Sequence, residues 1–204
     1  MFDFSAQLQQ RFAALQSRAQ FFSLRYVRQT SQHLCVRKNV AEPPHLSSDE
    51  GAMLTVRLNG VEAYAATRDL SQRGLQAALE QAEQHASRLA PHALLDLSDQ
   101  PVATARADYL SPHLNDAFAP LADCIALLMS ESNAVPKDER LVNWQVSLGL
   151  ENVEQIYLNN AGAQIRRAQR FVYPGMTVTA FDGSDSQTRS PGRDRLGQQR
   201  GAEA

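Results

Sequence analysis

Two runs of alternating apolar and polar residues meet at Asn59-Gly60, in the stretch LTVRLNGVEAYA. Asn and Gly tolerate the positive φ angles that a tight two-residue hairpin turn requires. With the turn placed there, the opposing pairs are Leu58–Val61, Val56–Ala63 and Leu54–Ala65 on an apolar face, and Arg57–Glu62 and Thr55–Tyr64 on a polar face. The pattern therefore predicts an antiparallel hairpin with one side packed on a core.

Helical spacing of apolar residues appears in three places. After the hairpin, Asp69 or Ser71 can cap a helix whose apolar positions are Leu75, Ala78, Leu79, Ala82, Ala86 and Leu89, and Pro91 stops it. Phe4, Leu8, Phe12 and Leu15 predict a first helix that ends near Ala19. Leu121, Ile125, Leu128 and Met129 predict a buried helix that starts at Pro120 and ends between Asn133 and Arg140.

The remaining periodic segments are rich in β-forming residues. FFSLRYVRQT and SQHLCVRKNV predict two strands joined by a short polar turn, with Arg25 opposite Val36, and AEPPHLSSDEG predicts a loop. The last third predicts four strands, RLVNWQVSLGL, VEQIYLNN, AQIRRAQRFVY and MTVTAF, with turns at residues 160–162 and 174–175. Residues 92–116, with their prolines and short polar stretches, predict an irregular segment in which PVATARADY can be a short extended piece.

These elements predict an α+β fold: antiparallel sheets in two hairpin or meander groups, packed with two to three helices. We expect one domain over residues 1–182, with subregions 1–91 and 115–182 joined by the irregular segment. Residues 183–204 contain only Leu196, Ala202 and Ala204 as apolar residues, which predicts a disordered polar tail.

Composition excludes several classes of function. The chain has 204 residues, 43% of them hydrophobic, and a formal net charge of −2, so it lacks the basic surface that direct nucleic-acid binding requires. No apolar run approaches the roughly 20 residues that span a bilayer, so no membrane contact is expected. The N-terminal stretch lacks a signal-peptide apolar block, and Cys35 and Cys124 are not closely spaced, which fits a reducing cytoplasm.

No catalytic, cofactor-binding or metal-binding residue is assigned from the sequence. A zinc peptidase needs two histidines one turn apart beside a glutamate, whereas the five histidines are scattered at His33, His45, His85, His92 and His113. His33 and Cys35 lie on one face of a predicted strand, yet catalytic zinc usually takes three protein ligands, so a half-buried strand pair is the simpler interpretation.

Three other groups have simpler explanations as well. Cys124 lies among apolar helix residues and is interpreted as a core residue rather than a nucleophile. Arg25, Tyr26 and Arg28 can line a cleft or pack at the sheet surface. The arginines Arg166, Arg167, Arg170, Arg189, Arg193, Arg195 and Arg200 are interrupted by aspartates and are interpreted as a solvated surface.

Several motifs in this order resemble the TldD/PmbA family, once called modulators of DNA gyrase. They are a strand ending in Arg-Gln-Thr, a loop with adjacent prolines, the GAMLTVRLNG strand, the AATRDLS helix start and YLNNAG before an arginine-containing strand. The resemblance runs through most of the chain. It implies an N-terminal portion only, because the family's His-Glu zinc motif belongs to a C-terminal half and matches no position here.

The resemblance implies a function that the residues alone do not. Family members are zinc metalloproteases, or their paired subunits, that act on peptides or unfolded proteins. This chain is then expected to be a scaffold and substrate-cleft domain without its own zinc and inactive alone, with its own C-terminal domain, an identical or paralogous subunit and an extended peptide as partners. The alternative is a stand-alone, non-catalytic binding or assembly module with the same scaffold.

Overall fold

The computed structural model describes residues 2–112, 114 and 119–190, with the backbone alone for residues 2–4. Its helices are α1 (Phe2–Ala13), α2 (Gln72–Leu89) and α3 (Leu121–Asn133), and a 3-10 turn spans Ala90–His92. The strands are β1 (Phe21–Arg37), β2 (Val40–Ala41), β3 (His45–Leu58), β4 (Val61–Thr67), β5 (Arg106–Leu110), β6 (Leu141–Asn159), β7 (Gln164–Phe181) and β8 (Ser186–Arg189). This confirms the predicted α+β class.

The eight strands belong to one antiparallel sheet with the order β4-β3-β1-β6-β7-β5. The short strand β2 pairs with β1, and β8 pairs with β7. Strands β4 and β5 therefore stand at the two ends of the main strand order.

The predicted hairpin and its register are confirmed. Strands β3 and β4 pair with Leu58 opposite Val61, and the pairing continues in step to Leu54 opposite Ala65. Asn59 and Gly60 take φ angles of 54° and 76°, as the tight turn requires. The turn thus fixes which side chains reach the core.

Three predicted breaks in strands are wrong. Residues 21–37 form the single strand β1, so the turn near Thr30 and the pairing of Arg25 with Val36 do not exist. The four predicted C-terminal strands are the two long strands β6 and β7, and the chain continues in extended form through Pro174-Gly175. The polar residues that suggested these turns include none that needs a positive φ angle, and the chain can remain extended through all of them.

Other boundaries also differ from the prediction. The predicted loop 41–51 is shorter, because β3 already begins at His45. Helix α1 ends at Ala13 instead of near Ala19, although Leu15 is still buried. Within the predicted disordered tail, Ser186–Arg189 form β8, so that prediction is wrong for these four residues, while residues 191–204 lie outside the described part.

The chain divides into two compact units, and both are built from separated segments. Unit 1 comprises the described residues up to Arg28, Asp49–Tyr109 and Glu154–Arg167. Unit 2 comprises Gln29–Ser48 and the described residues of 110–153 and 168–190. These units differ from the predicted subregions 1–91 and 115–182, because β1, β3, β6 and β7 each contribute residues to both units.

The core of unit 1 joins α1 and α2 to the sheet. Its buried residues include Leu8, Leu24, Leu54, Leu75 and Leu79. Helix α2 begins at Ser71, whose Oγ accepts a hydrogen bond from the backbone nitrogen of Gly74 at 3.1 Å, so Ser71 is the cap. All the apolar positions predicted for α2 are buried except Leu89, which is half exposed, and Gly74 and Glu83 are buried as well.

The core of unit 2 is smaller and centres on α3. Leu34, Val36, Cys124, Leu128 and Val146 form its buried cluster. Helix α3 ends at Asn133, within the predicted range. Of its four predicted core positions, Leu128 is buried, Ile125 and Met129 are partly buried, and Leu121 is 41% exposed. Ser132, which the apolar spacing did not predict, is 1% exposed.

Candidate functional site

A pocket of about 450 Å³ lies in unit 2, among β1, β3 and β6. Its lining includes two leucines, Leu46 and Leu150, of which Leu150 is buried. The other lining side chains carry hydroxyl or amide groups and no formal charge: Thr30, Ser31, Gln32, Ser47, Ser48 and Asn152. We refer to these eight residues as the hydroxyl pocket.

Most polar side chains of the hydroxyl pocket have no hydrogen-bond partner in the part of the chain that the structure describes. Among the described residues, the side chains of Thr30, Ser31, Gln32, Ser47 and Ser48 form no hydrogen bond. Hydroxyl and amide groups can both donate and accept hydrogen bonds. The pocket therefore offers a ligand several uncommitted donors and acceptors without any net charge.

Asn152 differs from these residues because the protein fixes its orientation. The Nε of Arg170 donates a hydrogen bond to Oδ1 of Asn152 at 3.0 Å, and Arg170 is itself only 7% exposed. A guanidinium can only donate, so the bonded atom of the amide must be its oxygen. The Nδ2 group of Asn152 is left as an oriented donor on the pocket lining.

The residues next to the pocket lining are held by a second, partly exposed set of hydrogen bonds. Glu151 accepts hydrogen bonds from the hydroxyl of Tyr173 at 3.0 Å and from the side-chain amide of Gln29. Burial, together with this bond to Glu151, raises the pKa of Tyr173 to about 12, so the phenol remains protonated and donates. These contacts fix β1, β6 and β7 where the pocket forms.

Unit 1 contains a second pocket of about 300 Å³ with different chemistry. Its charged lining residues are Arg106, Asp108 and Arg166, above the buried side chains of Ile156 and Leu158. Arg166 donates two hydrogen bonds to one oxygen of Glu154, at 3.1 and 3.2 Å. The cation on the buried side of this pocket is thus already paired within the protein.

The pair His33 and Cys35 does not form a metal site. His33 is exposed, while the buried Cys35 thiol bonds to the carboxylate of Glu42, which also receives a 2.8 Å bond from Arg37. Burial and the bond to Glu42 raise the pKa of the Cys35 thiol. A thiol held protonated is a poor metal ligand and a poor nucleophile.

The other groups noted in the sequence are also separated by the fold. Tyr26 is buried and donates to Glu50 at 2.9 Å, and burial with this bond raises its pKa, whereas Arg25 and Arg28 are exposed. Cys124 lies in the core of unit 2, and burial raises its pKa.

The predicted arginine surface does not act as one group. Arg166 and Arg170 are bonded within the protein, while Arg167 and Arg189 are exposed. Arg193, Arg195 and Arg200, like His113, lie outside the described residues.

The described residues do not fit a zinc ion. Nowhere in them do three or more His, Cys, Asp or Glu side chains come together as a metal-binding group. Their helices also include none with the length and apolar character needed to cross a membrane.

The hydroxyl pocket was missed by sequence reasoning. Its lining comes from stretches that were interpreted as turns or loops, namely the Thr30-Ser31 junction, the LSSDE loop and the break before Val153. Runs of Ser, Gln and Asn favour turns in general, so nothing local distinguished a pocket from a turn.

The chain is similar to known proteins both in sequence and in structure. Residues 22–86 match the family model described as PmbA/TldA metallopeptidase domain 1. This segment contains β1, the hairpin of β3 and β4, and most of α2. No curated protein matches the chain.

Solved structures of similar fold cover nearly all of this chain. A candidate modulator of DNA gyrase from Bacteroides thetaiotaomicron aligns with a TM-score of 0.68 and 14% identity, over 92% of this chain and 43% of its own. A second candidate gyrase modulator, from Thermotoga maritima, aligns with a TM-score of 0.65 and 12% identity, over 93% of this chain and 42% of its own. TldE from Thermococcus kodakarensis aligns with a TM-score of 0.55 and 13% identity, over 92% of this chain and 42% of its own. The chain thus spans less than half of the length of these proteins.

Proposed function

We propose that the chain is the N-terminal scaffold and substrate-cleft part of a zinc metallopeptidase of the PmbA/TldD family, whose first-domain model matches residues 22–86. Its substrates are peptides or unfolded proteins. The observation that carries the proposal is the family match over the hairpin and α2, together with the shared fold over 92% of the chain.

The zinc site of the proposed enzyme lies in another part of the protein. The structural relatives are more than twice as long as the aligned region, which leaves room for a catalytic half. The described residues of this chain contribute no ligand cluster, so their role is architecture and substrate contact. Further partners would be the chain's own C-terminal domain and an identical or paralogous subunit.

A large antiparallel sheet suits this role for a physical reason. Extended peptides bind to sheets through backbone hydrogen bonds, which depend little on side-chain identity and suit a protease of broad specificity. The strands at the ends of the main strand order, β4 and β5, present edges for such pairing. All five residues of β5 are exposed.

The test is to isolate the native protein from its source cells with an antibody against residues 22–86. We expect a mass well above the 22.6 kDa of this chain, bound zinc, and cleavage of unfolded peptides that a chelator abolishes. The isolated 204-residue chain should cleave nothing under the same conditions. A native mass of 22.6 kDa without zinc would instead favour the stand-alone binding or assembly module.

A further inference from the structure

We propose that the hydroxyl pocket binds a neutral stretch of extended peptide, with Nδ2 of Asn152 donating to a backbone carbonyl oxygen of the ligand. This inference rests on the proposed function, since it assigns a substrate contact to a place in unit 2. At about 450 Å³ the pocket has the size of a small-ligand site and holds a short segment of a peptide.

The chemistry of the lining selects this class of ligand. A peptide backbone alternates N–H donors and C=O acceptors and has no charge, and the hydroxyl and amide groups of Thr30, Ser31, Gln32, Ser47 and Ser48 can match both. An anionic ligand would find no cation in the lining, and a cationic ligand no carboxylate. Leu46 and Leu150 provide apolar contact for one ligand side chain.

Asn152 is built to be a donor. Its oxygen is already bonded to the buried Arg170, so the amide cannot rotate to present an acceptor without breaking a bond to a charged group. Such fixed donors lower the ordering cost of binding. The flexible hydroxyls around it then adapt to the rest of the backbone.

The strands also retain polar residues where folding alone does not require them. Ser, Asn and Gln lack the β-branched or aromatic side chains that favour strands, such as those of Phe22, Val27 and Trp144 elsewhere in β1 and β6. Three neighbouring strands carry these residues at the same pocket. Positions where local preference and fold disagree are expected at functional sites.

The experiment is an NMR titration of the 204-residue chain with an uncharged ten-residue peptide of Gly, Ala, Ser and Leu, blocked at both ends. We expect the side-chain amide signals of Asn152 and Gln32 to shift with saturation. The variant Asn152→Asp keeps an oxygen for Arg170 but replaces the donor with an acceptor, so the affinity should fall about tenfold or more.

The matched control is Gln164→Glu, which makes the same amide-to-carboxylate change in the pocket of unit 1. It should leave the affinity unchanged. Thermal unfolding of Asn152→Asp should match the wild type, which excludes misfolding as the cause of a loss. A second control repeats the titration with an aspartate at the centre of the peptide, and this peptide should bind more weakly.

Three results would overturn the assignment. Equal peptide affinity of Asn152→Asp and the wild type would show that Nδ2 of Asn152 does not donate to the peptide. Chemical-shift changes confined to β4 or β5 would show that the peptide binds at a sheet edge and not in the hydroxyl pocket. No binding of the peptide would reject the ligand class. None of these outcomes affects the measurement of native mass, bound zinc and peptide cleavage, which tests the proposed function separately.

Discussion

Replacing Ser132 by alanine should loosen unit 2 at a single buried hydroxyl. Ser132 is 1% exposed, and its Oγ accepts hydrogen bonds from Nε1 of Trp144 at 3.0 Å and from the backbone nitrogen of Asn39 at 3.2 Å. It also donates to Oδ1 of Asn39 at 2.7 Å. One side chain thus joins α3, β6 and the turn between β1 and β2.

The expected cost follows from these three bonds. Each hydrogen bond contributes about 0.5–1.5 kcal/mol net, and a buried donor left without a partner costs about 1–3 kcal/mol. Asn39 is exposed and Trp144 only partly buried, so water can replace some of the lost bonds. We therefore expect Ser132→Ala to lower the free energy of unfolding by about 2 kcal/mol, or the melting temperature by roughly 4–8 °C.

The turn adds to the effect, because Lys38 and Asn39 have φ angles of 50° and 62°. This left-handed conformation costs free energy in residues other than glycine, and the bonds to Ser132 help to hold it. Loss of those bonds should make the turn more mobile as well as the unit less stable.

Trp144 supplies the assay, because it is the one tryptophan of the chain. Urea unfolding followed by its fluorescence should show an earlier midpoint in Ser132→Ala, and the folded variant should emit at longer wavelength as the indole N–H turns to water. The control is Ser130→Ala, an exposed serine of the same helix, which should change stability by less than about 0.5 kcal/mol. If both variants unfold at the same urea concentration, the hydroxyl does not stabilise unit 2 as argued.

Two further predictions concern unit 1. A Cβ on Gly74 would lie 2.3 Å from the backbone oxygen of Asp69. Gly74→Ala should therefore lower the free energy of unfolding by about 1–3 kcal/mol in chemical denaturation, although alanine has the better helix propensity. The control is Gln72→Ala at an exposed position of the same helix, which should stay near the wild type. Glu83 is 4% exposed; burial raises the pKa of its carboxyl, but bonds from Ser17 and Arg18 more than offset this, so the pKa lies below its ordinary value. A carboxyl whose pKa is lower in the folded than in the unfolded protein stabilises the fold at pH values above its unfolded pKa, and this contribution is lost as the pH falls through the folded pKa. Glu83→Gln should therefore be less stable than the wild type by about 1–2 kcal/mol at pH 7, and the difference should shrink below about pH 4. A difference that stays constant from pH 7 to pH 3 would contradict the assignment.

The parts of the fold that the sequence predicted correctly have local causes. The hairpin register follows from one Asn-Gly turn, since a two-residue connection leaves a single alignment of the flanking strands. Helix α2 follows from its cap at Ser71 and from five small or branched apolar residues at helical spacing. Neither requires knowledge of what packs against it.

The parts that could not be predicted depend on distant contacts. Leu121 has helical spacing yet is 41% exposed, whereas Ser132 is buried because Asn39 and Trp144 come to it from other elements. No pattern within α3 distinguishes these two positions. Burial of a polar group is decided by its partners, and the partners are 12 and 93 residues away in sequence.

Apart from the one at Pro174-Gly175 in β7, the incorrect turn and loop predictions have a common location. The predicted break at Thr30-Ser31, the predicted loop that includes Ser47-Ser48 and the predicted break near Asn152 all lie within continuous strands, and all line the hydroxyl pocket. Three adjacent strands carry uncharged hydroxyl and amide groups at this place, and the side chains of Thr30, Ser31, Gln32, Ser47 and Ser48 form no hydrogen bond among the described residues. Ser47 and Ser48 are exposed, so water satisfies their hydroxyls in the free protein and a ligand can replace that water. In the pocket of unit 1, by contrast, Arg166 is already paired with Glu154, which is why the hydroxyl pocket carries the binding proposal.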